Sequence, residues 1–376
     1  MKNKNMKNKN TRKKVAGEVF DSGGYGCLFS PPLKCKKNNR TKKNMISKLM
    51  PTSTADQEHN NNTRIKKILS SIPNYKKYYI FSEISCYPKK LTKKDLKKFN
   101  KRCKTLTNKK FNKRTINSRI NDLKILQFPY GGITLEKYII KNDNITNSFP
   151  FINKLLINFL NNAIIPMNKK NVYHFDIKDS NILIGGNNLR LIDWGLSAVI
   201  PDKNIPSYLF RKPLQFNYPF TSILLDVDFL KELLKNMKIF GTDYDSLKEF
   251  IKNYYQDNIV NKFGQPASGH FSYLNDVFNN FVNKDVDTYD VVYNFCANSI
   301  INHSKNDIFD FKKYFKNTFL KIVDIWGFLS IYMSFMLVKK MSNKIKVKIQ
   351  KIFFKHLFNN YDTIDIKDLV NDLKQI

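Results

Sequence analysis

Three polar residues near the middle of the chain, Asp176, Asn181 and Asp193, stand at spacings that could bring them to one place. Asn181 follows Asp176 by five positions, and Asp193 follows Asn181 by twelve. Two short apolar runs, residues 182–184 and 189–192, predict a β-hairpin between them, because glycine and asparagine residues separate the runs. The hairpin places the three polar side chains at its open end. Carboxylate and amide oxygens there are ligands that Mg²⁺ prefers.

The chemistry that this set allows is phosphoryl transfer. We expect Asn181 and Asp193 to hold Mg²⁺ bound to phosphate oxygens, which leaves Asp176 to accept a proton from a hydroxyl group. Lys178 lies two residues after Asp176 and can neutralise charge on a transferring phosphoryl group. Positioning and charge stabilisation of this kind carry most of the catalysis in phosphoryl transfer.

The N-terminal part of the sequence predicts strands followed by a helix. Residues 17–29 alternate like two strands joined by a glycine-rich turn, and residues 45–49 predict another strand. Thr54 and Gln57 fit a capping box. Apolar residues then recur at helical spacing until Pro73, which predicts an amphipathic helix after the third strand.

Two motifs resemble those of eukaryotic-type serine/threonine protein kinases. Residues 174–181 resemble the catalytic loop of that family, and Asp193-Trp194-Gly195 resembles its magnesium-binding DFG segment. The resemblance implies an α+β, two-lobed protein-kinase-like fold. Its N-lobe is small, rich in antiparallel β-strands and has one main helix, and its C-lobe is larger and mainly helical. The Asn- and Lys-rich style is most similar to the kinase-like proteins of giant DNA viruses.

The resemblance also implies a role for each candidate site residue, with ATP and Mg²⁺ as cofactors and Mn²⁺ as an alternative metal. Asp176 and Lys178 are the implied catalytic residues, and Asn181 and Asp193 are the implied metal ligands. The implied nucleotide-binding residues are Gly23, Gly24, Gly26, Leu28, Lys48 and Glu58. Glu58 is the expected ion-pair partner of Lys48, and Glu83 is the alternative partner. Asp324 resembles the start of the buried helix that anchors the catalytic loop in this family.

Departures from the family pattern keep other functions open. Asp21 replaces the first glycine of the nucleotide-covering loop, Phe175 replaces an arginine, and no Ala-Pro-Glu sequence follows the DWG. A catalytically weak pseudokinase or scaffold is therefore one alternative, and a small-molecule kinase is another. Lys178 favours a protein substrate. If the protein is viral, we expect it in the host cytoplasm or the virion.

The balance of charge suggests a further alternative. The 376 residues carry 65 Lys and Arg against 31 Asp and Glu, a formal charge of +34. A basic nucleic-acid-binding protein on a kinase-like fold would explain this charge, with weak electrostatic binding to nucleic acid or acidic proteins. AT-rich codon usage would also explain it, because Lys, Asn and Ile are all abundant.

Composition also predicts how the chain is divided. We expect a basic disordered tail at 1–14, an N-lobe at 15–128 with a basic insertion at about 89–122, and a C-lobe at 129–376 with a long insertion at about 201–317. Residues 89–124 are dense in Lys and Arg, so we expect them to loop out of the fold.

The cysteine residues and the longest apolar run indicate where in the cell the protein is expected. The five cysteines are an odd number without a CxxC pair, which favours reduced thiols and an intracellular location. The apolar run at 325–338 has fourteen residues, fewer than the roughly 20 needed to cross a bilayer. We expect it to be a buried helix, and we expect no membrane span.

Overall fold

The structure is a computed structural model that describes residues 18–37, 44–142, 144–201, 205–210, 215–260, 265–282 and 285–376. The expected tail at 1–14 lies outside these residues. The described residues form a mixed α+β structure with a small antiparallel sheet and a helical region. The chain divides into two compact units. The first comprises Met1–Lys66 and Ile80–Tyr130, and the second comprises Lys67–Tyr79 and Gly131–Ile376.

Within the described residues, five strands of the first unit form one antiparallel sheet. They are β1 (Glu18–Ser22), β2 (Cys27–Ser30), β3 (Met45–Pro51), β4 (Ile84–Cys86) and β5 (Leu123–Pro129). Their order across the sheet is β1-β2-β3-β5-β4. The register pairs Leu28 with Lys48 and Lys48 with Leu126. These three side chains therefore share one face of the sheet.

The helix Thr52–Leu69 packs on that face. Its Ala55 lies in a small apolar cluster with Met50 and Leu126, the strand residues that alternate onto the same side. The helix begins two residues before the capping box predicted at Thr54, so the exact start was predicted wrongly, but the helix itself is confirmed.

Residues 89–122 cover the opposite face of the sheet, so the prediction that residues 89–124 loop out is wrong. Leu96, Phe99 and Leu106 from this segment pack in one buried cluster with Phe29 of β2 and Leu49 of β3. The segment contains the short helices Phe99–Arg102 and Lys104–Asn108. Its apolar residues are few, but they point inward while the Lys and Arg side chains point to solvent. Average composition hides this separation.

Two disulfide bonds, Cys27–Cys103 and Cys35–Cys86, hold the first unit together. The prediction of reduced thiols is therefore wrong for these four residues, whereas Cys296 is a free, buried thiol. The partners are 76 and 51 residues apart in sequence, and the fold brings their Cα atoms to 5.4 and 5.7 Å. Sequence spacing reveals no such pairing, because it arises only when the strands and the segment that covers them come together.

The second unit is mainly helical. Its α-helices are Leu135–Lys141, Ile145–Phe159, Ile165–Lys169, Val227–Phe240, Tyr244–Tyr254, Gln265–Asn279, Thr288–Asn302, Phe311–Tyr314, Leu320–Leu337, Asn343–Phe353 and Ile366–Lys374. Its strands are β6 (Ile133–Thr134), β7 (Val172–Tyr173), β8 (Ile182–Gly185), β9 (Asn188–Leu191), β10 (Ala198–Val199), β11 (Ser304–Lys305) and β12 (Ile308–Phe309). The predicted hairpin is confirmed, because β8 and β9 pair antiparallel and Gly185 lies opposite Asn188.

The helix Leu320–Leu337 forms the centre of this unit and is buried along almost its whole length. By length and composition, the stretch Phe311–Leu337 is the one candidate for a membrane span among the described residues, yet 83% of its most apolar window is buried inside the protein. That burial is typical of a core helix, as expected from the apolar run at 325–338.

Candidate active site

A single buried carboxylate holds the backbone of the loop that carries Asp176. Asp324, which is 1% exposed, accepts hydrogen bonds from the backbone N–H of His174 at 2.9 Å and of Phe175 at 3.0 Å. The amide of Asn168 donates to the same carboxylate at 2.7 Å. Phe175 has φ 57°, in the left-handed region, which costs energy for a bulky residue. The bonds to Asp324 support this turn, as expected of the anchor, but Asp324 lies inside the helix Leu320–Leu337 and not at its start.

The electrostatics of Asp324 show how closely this anchor is enclosed. Burial raises the pKa of its carboxyl group, and the His174 ring and the N–H donors oppose that rise. A buried carboxylate is costly unless it is hydrogen-bonded. The donors from the loop therefore stabilise the anchor while the anchor shapes the loop.

The central helix approaches the loop closely because Gly327 has no side chain. A Cβ atom there would lie 2.8 Å from the carbonyl oxygen of Ile177, which is backbone and cannot swing away. One residue earlier, the Trp326 indole N–H donates to the carbonyl of Phe216 at 3.2 Å. The same turn of helix thus packs against the loop at residues 174–181 and holds the segment that follows the DWG.

Asp176 is 9% exposed, and three side chains donate hydrogen bonds to its carboxylate. Lys178 Nζ lies 2.8 Å from Oδ1, and Asn217 Nδ2 lies 3.0 Å from the same oxygen. Asn181 Nδ2 lies 2.8 Å from Oδ2 and also 2.8 Å from the Asp176 carbonyl oxygen. The structure therefore brings together the predicted residues Asp176, Lys178 and Asn181, with the Asp176 carboxylate held at both oxygens.

Asn217 is a site residue that the sequence analysis missed. Its side chain is 1% exposed, and Nδ2 donates both to Asp176 and to the carbonyl oxygen of Ile177, at 3.3 Å. Next to it, the Tyr218 hydroxyl donates to the carbonyl of Phe175. Asn217 lies 41 residues after Asp176, so its only sequence signal was its place in the segment after the DWG.

The hairpin places Asp193 beside Asn181 through the backbone. The N–H of Ile192 donates to the carbonyl of Asn181 at 3.0 Å, so Asp193 follows directly after the residue that is bonded to Asn181. Asp193 itself has φ 64°, a left-handed conformation that turns the chain sharply into the short helix Trp194–Leu196. Asp176, Asn181 and Asp193 thus lie in one unit at the open end of the hairpin, as predicted.

His174 is buried and has a structural role. Its Nε2–H donates to the carbonyl of Ile192 at 3.0 Å, which links the loop at residues 174–181 to the residue before Asp193. Its ring also contacts the buried ring of Trp194 edge-on, with centroids 5.0 Å apart. Burial lowers the pKa of His174, although the carboxylates of Asp324, Asp176 and Asp193 favour protonation. The neutral ring therefore fits this position.

In the first unit, Lys48 and Glu58 form a buried ion pair. Lys48 Nζ lies 3.0 Å from Oε1 and 2.8 Å from Oε2 of Glu58, and each residue is 7% exposed. Glu58 lies in the second turn of the helix that packs on the Lys48 face of the sheet, which explains why only ten residues separate the pair. The structure thus pairs Lys48 with Glu58, the first of the two partners considered.

The glycine-rich turn joins β1 to β2 in the same unit. The N–H of Gly23 donates to the carbonyl of Gly26 at 2.9 Å. Only at Gly26 does the backbone pass so close that a side chain could not fit, because a Cβ would lie 2.5 Å from the Leu49 carbonyl oxygen. Gly24 is exposed, and a Cβ there would meet no atom within 4 Å. Leu28 follows in β2, on the Lys48 face.

A third group of polar side chains lies apart from these residues in the second unit. His356, Asp368 and Asp372 offer ligand atoms within 4.8 Å of one another. Lys355 Nζ lies 2.8 Å from a carboxylate oxygen of both Asp368 and Asp372. His356 Nε2 lies 2.8 Å from Asp372. The ammonium group pairs with both acids and His356 contacts one of them, so the cluster is explained as an ion-pair network.

Comparison with known proteins adds no relative: no protein-family model matches the chain, and no curated protein matches it.

Proposed function

We propose that this protein is a serine/threonine protein kinase that transfers the γ-phosphoryl group of ATP to hydroxyl groups of proteins. The observation that supports this proposal most is the setting of Asp176. Its carboxylate receives Lys178, Asn181 and Asn217, and its backbone turn is held by Asp324. A carboxylate constrained in this way is suited to orient an acceptor hydroxyl and to take its proton.

The hydrogen bonds of Asp176 leave room for a substrate. An ionised carboxylate offers about four acceptor positions, and three donors occupy positions on Asp176. The hydroxyl proton of serine or threonine passes to the remaining position as its oxygen attacks phosphorus. The Lys178 side chain is 27% exposed, so its ammonium group reaches both Asp176 and incoming phosphate oxygens. It offsets negative charge that develops during transfer.

Magnesium fits the donor set of the second unit. Asn181 uses its amide nitrogen for Asp176, so its amide oxygen is the atom that can face a cation. Asp193, which follows the residue bonded to the Asn181 backbone, would supply a carboxylate, and both groups are hard oxygen donors of the kind that Mg²⁺ and Mn²⁺ accept. When bound, the ion neutralises charge on the phosphate oxygens.

The first unit contributes the residues proposed to bind ATP. Lys48 is buried on a strand and fixed by Glu58, so its ammonium group is held in one position for the α and β phosphates. Gly23, Gly24, Gly26 and Leu28 are the proposed covering residues. On this proposal the two units correspond to the N-lobe and the C-lobe of a protein-kinase-like fold. The helices at 227–302 would belong to the insertion at about 201–317.

The test is transfer of labelled phosphate from ATP with Mg²⁺ to a protein substrate. We expect Asp176→Asn to abolish transfer, because the amide cannot accept the hydroxyl proton. Asp228→Asn is the matched control, because Asp228 is an exposed carboxylate in the same unit. Equal transfer by wild type and Asp176→Asn would refute the proposal. Thermal stabilisation by ATP and Mg²⁺ without any transfer would instead identify a pseudokinase.

A further inference from the structure

Residues 89–124, which we call the basic module, form a folded surface of high positive charge. This stretch of 36 residues is about a tenth of the chain, yet it carries 15 of the 65 Lys and Arg and only two acids. Thirteen of its 15 basic residues are exposed. Codon usage would spread lysine along the whole chain, so it does not explain this concentration.

The fold holds the backbone of the basic module in place. The Cys27–Cys103 disulfide ties it to β2, and the Thr105 hydroxyl donates to the carbonyl of Gly23 at 2.5 Å. Inside the module, Asn117 exchanges hydrogen bonds with the backbone of Leu91 at 2.7 and 2.9 Å. A rigid surface loses less entropy on binding than a disordered basic tail does.

Neighbouring acids neutralise only a small part of this charge. Lys98 pairs with Glu18 at 2.9 Å, and Lys124 pairs with Asp56 at 2.6 Å. These are the two basic residues of the module that are not fully exposed. The thirteen exposed basic residues share the module with two acids, Asp95 and Asp122, so the module keeps a large excess of positive charge.

We propose that the basic module binds the phosphodiester backbone of nucleic acid, independently of base sequence. Twelve of its 15 basic residues are lysines, which act as mobile point charges on phosphates rather than as bidentate readers of base edges. Duplex DNA presents one charge per about 1.7 Å of axis, a density that can engage many lysines together. An acidic polypeptide is the competing partner, but its charges are held on flexible side chains and are less dense.

The experiment measures binding of a short, fluorescein-labelled DNA duplex of mixed sequence to the full-length, disulfide-bonded protein by anisotropy over a range of salt concentrations. The test variant carries Lys93→Gln, Lys94→Gln, Lys97→Gln and Lys101→Gln, all at exposed positions. We expect its affinity to fall about tenfold or more at physiological salt. The slope of the logarithm of the binding constant against the logarithm of salt concentration should also become shallower, by about 0.9 for each phosphate group that a lysine no longer neutralises.

The matched control removes the same charge from the other unit, through the exposed lysines in Lys154→Gln, Lys169→Gln, Lys231→Gln and Lys235→Gln. We expect this variant to keep the wild-type affinity within about twofold, because its four lysines are not part of the proposed binding surface and salt screens charges that do not contact the DNA. Equal losses in both variants would show that only net charge matters and would overturn the proposal. Absence of binding by the wild type would also overturn it.

Competition separates nucleic acid from acidic protein. We compare the two competitors at equal molar concentrations of negatively charged groups. Unlabelled duplex is expected to displace the probe at a far lower concentration of these groups than poly-glutamate does. Displacement by poly-glutamate at the same charge concentration would overturn the assignment to nucleic acid. The measurement contains no ATP, so its outcome is independent of the proposed kinase activity. Circular dichroism of both variants checks that the fold is unchanged.

Discussion

Replacing Asn217 by alanine tests whether the setting of Asp176 serves catalysis. The change removes the hydrogen bond from Asn217 Nδ2 to Asp176 Oδ1, at 3.0 Å, and the bond to the Ile177 carbonyl, at 3.3 Å. Lys178 and Asn181 remain bonded to the carboxylate. We therefore expect Asp176 to stay in the site but to lose its orientation.

The expected loss of kcat follows from the contribution of the hydrogen bond between Asn217 and the Asp176 carboxylate. A hydrogen bond to a charged group contributes about 1.5–3 kcal/mol. At about 1.4 kcal/mol for each factor of ten in rate, kcat should fall between about 10-fold and 150-fold. The KM for ATP should change by less than about twofold, because Asn217 contacts the base and not the proposed nucleotide-binding residues.

Steady-state phosphate transfer by three variants makes the test specific. Asn217→Asp should be less active than Asn217→Ala, because it places a second carboxylate beside Asp176. Asn153→Ala is the matched control, since Asn153 is also buried and its amide bonds to the Leu373 carbonyl and the Tyr332 hydroxyl, both at 2.7 Å. It should lower stability without lowering kcat.

Two results would contradict this reasoning. If Asn153→Ala lowers kcat as much as Asn217→Ala does, the effect is general destabilisation. If Asn217→Asp is more active than Asn217→Ala, the contact with Asp176 is not what matters.

Three other measurements test separate features of the structure. Gly327→Ala should displace the Ile177 carbonyl, which would lie 2.8 Å from the new Cβ, and should lower phosphate transfer at least about tenfold. Gly269→Ala is the control and should not lower transfer, because a Cβ at this helical glycine would meet nothing within 4 Å. Equal activity of the two variants would contradict the close approach at Gly327. Alkylation of the unfolded, unreduced protein should label one cysteine, Cys296, and labelling of all five would show that the disulfides are absent. Burial lowers the pKa of His174 in the folded protein. Below a pH of about 6.5 the unfolded chain therefore takes up a proton at His174 that the folded protein does not. The free energy of unfolding should fall as pH falls, by up to about 1.4 kcal/mol per pH unit for this residue. His174→Gln should remove that part of the slope in urea unfolding, and an unchanged slope would show that His174 is protonated in the fold.

Local patterns were sufficient for several elements. The hairpin β8–β9 follows from two apolar runs around a glycine turn, and its closing pair is Gly185 and Asn188. The pairing of Lys48 with Glu58 was expected from the family resemblance rather than from the spacing, and the two side chains meet at 2.8 Å. In both cases the groups are near in sequence, so the geometry of one or two elements decides whether they meet.

Other features depended on the tertiary structure. Asn217 contacts Asp176 although 41 residues separate them, and Cys27 bonds to Cys103 although 76 residues separate them. Over such sequence separations, neither periodicity nor spacing indicates which residues come into contact. Residues 89–124 look like a solvated insertion because their charge dominates the composition, yet burying a few apolar residues against the sheet is enough to fold them. The sequence by itself determined which chemical groups are present and how neighbouring ones are arranged. Packing between distant segments decided which cysteines pair, which amide orients Asp176, and which lysines form one rigid surface.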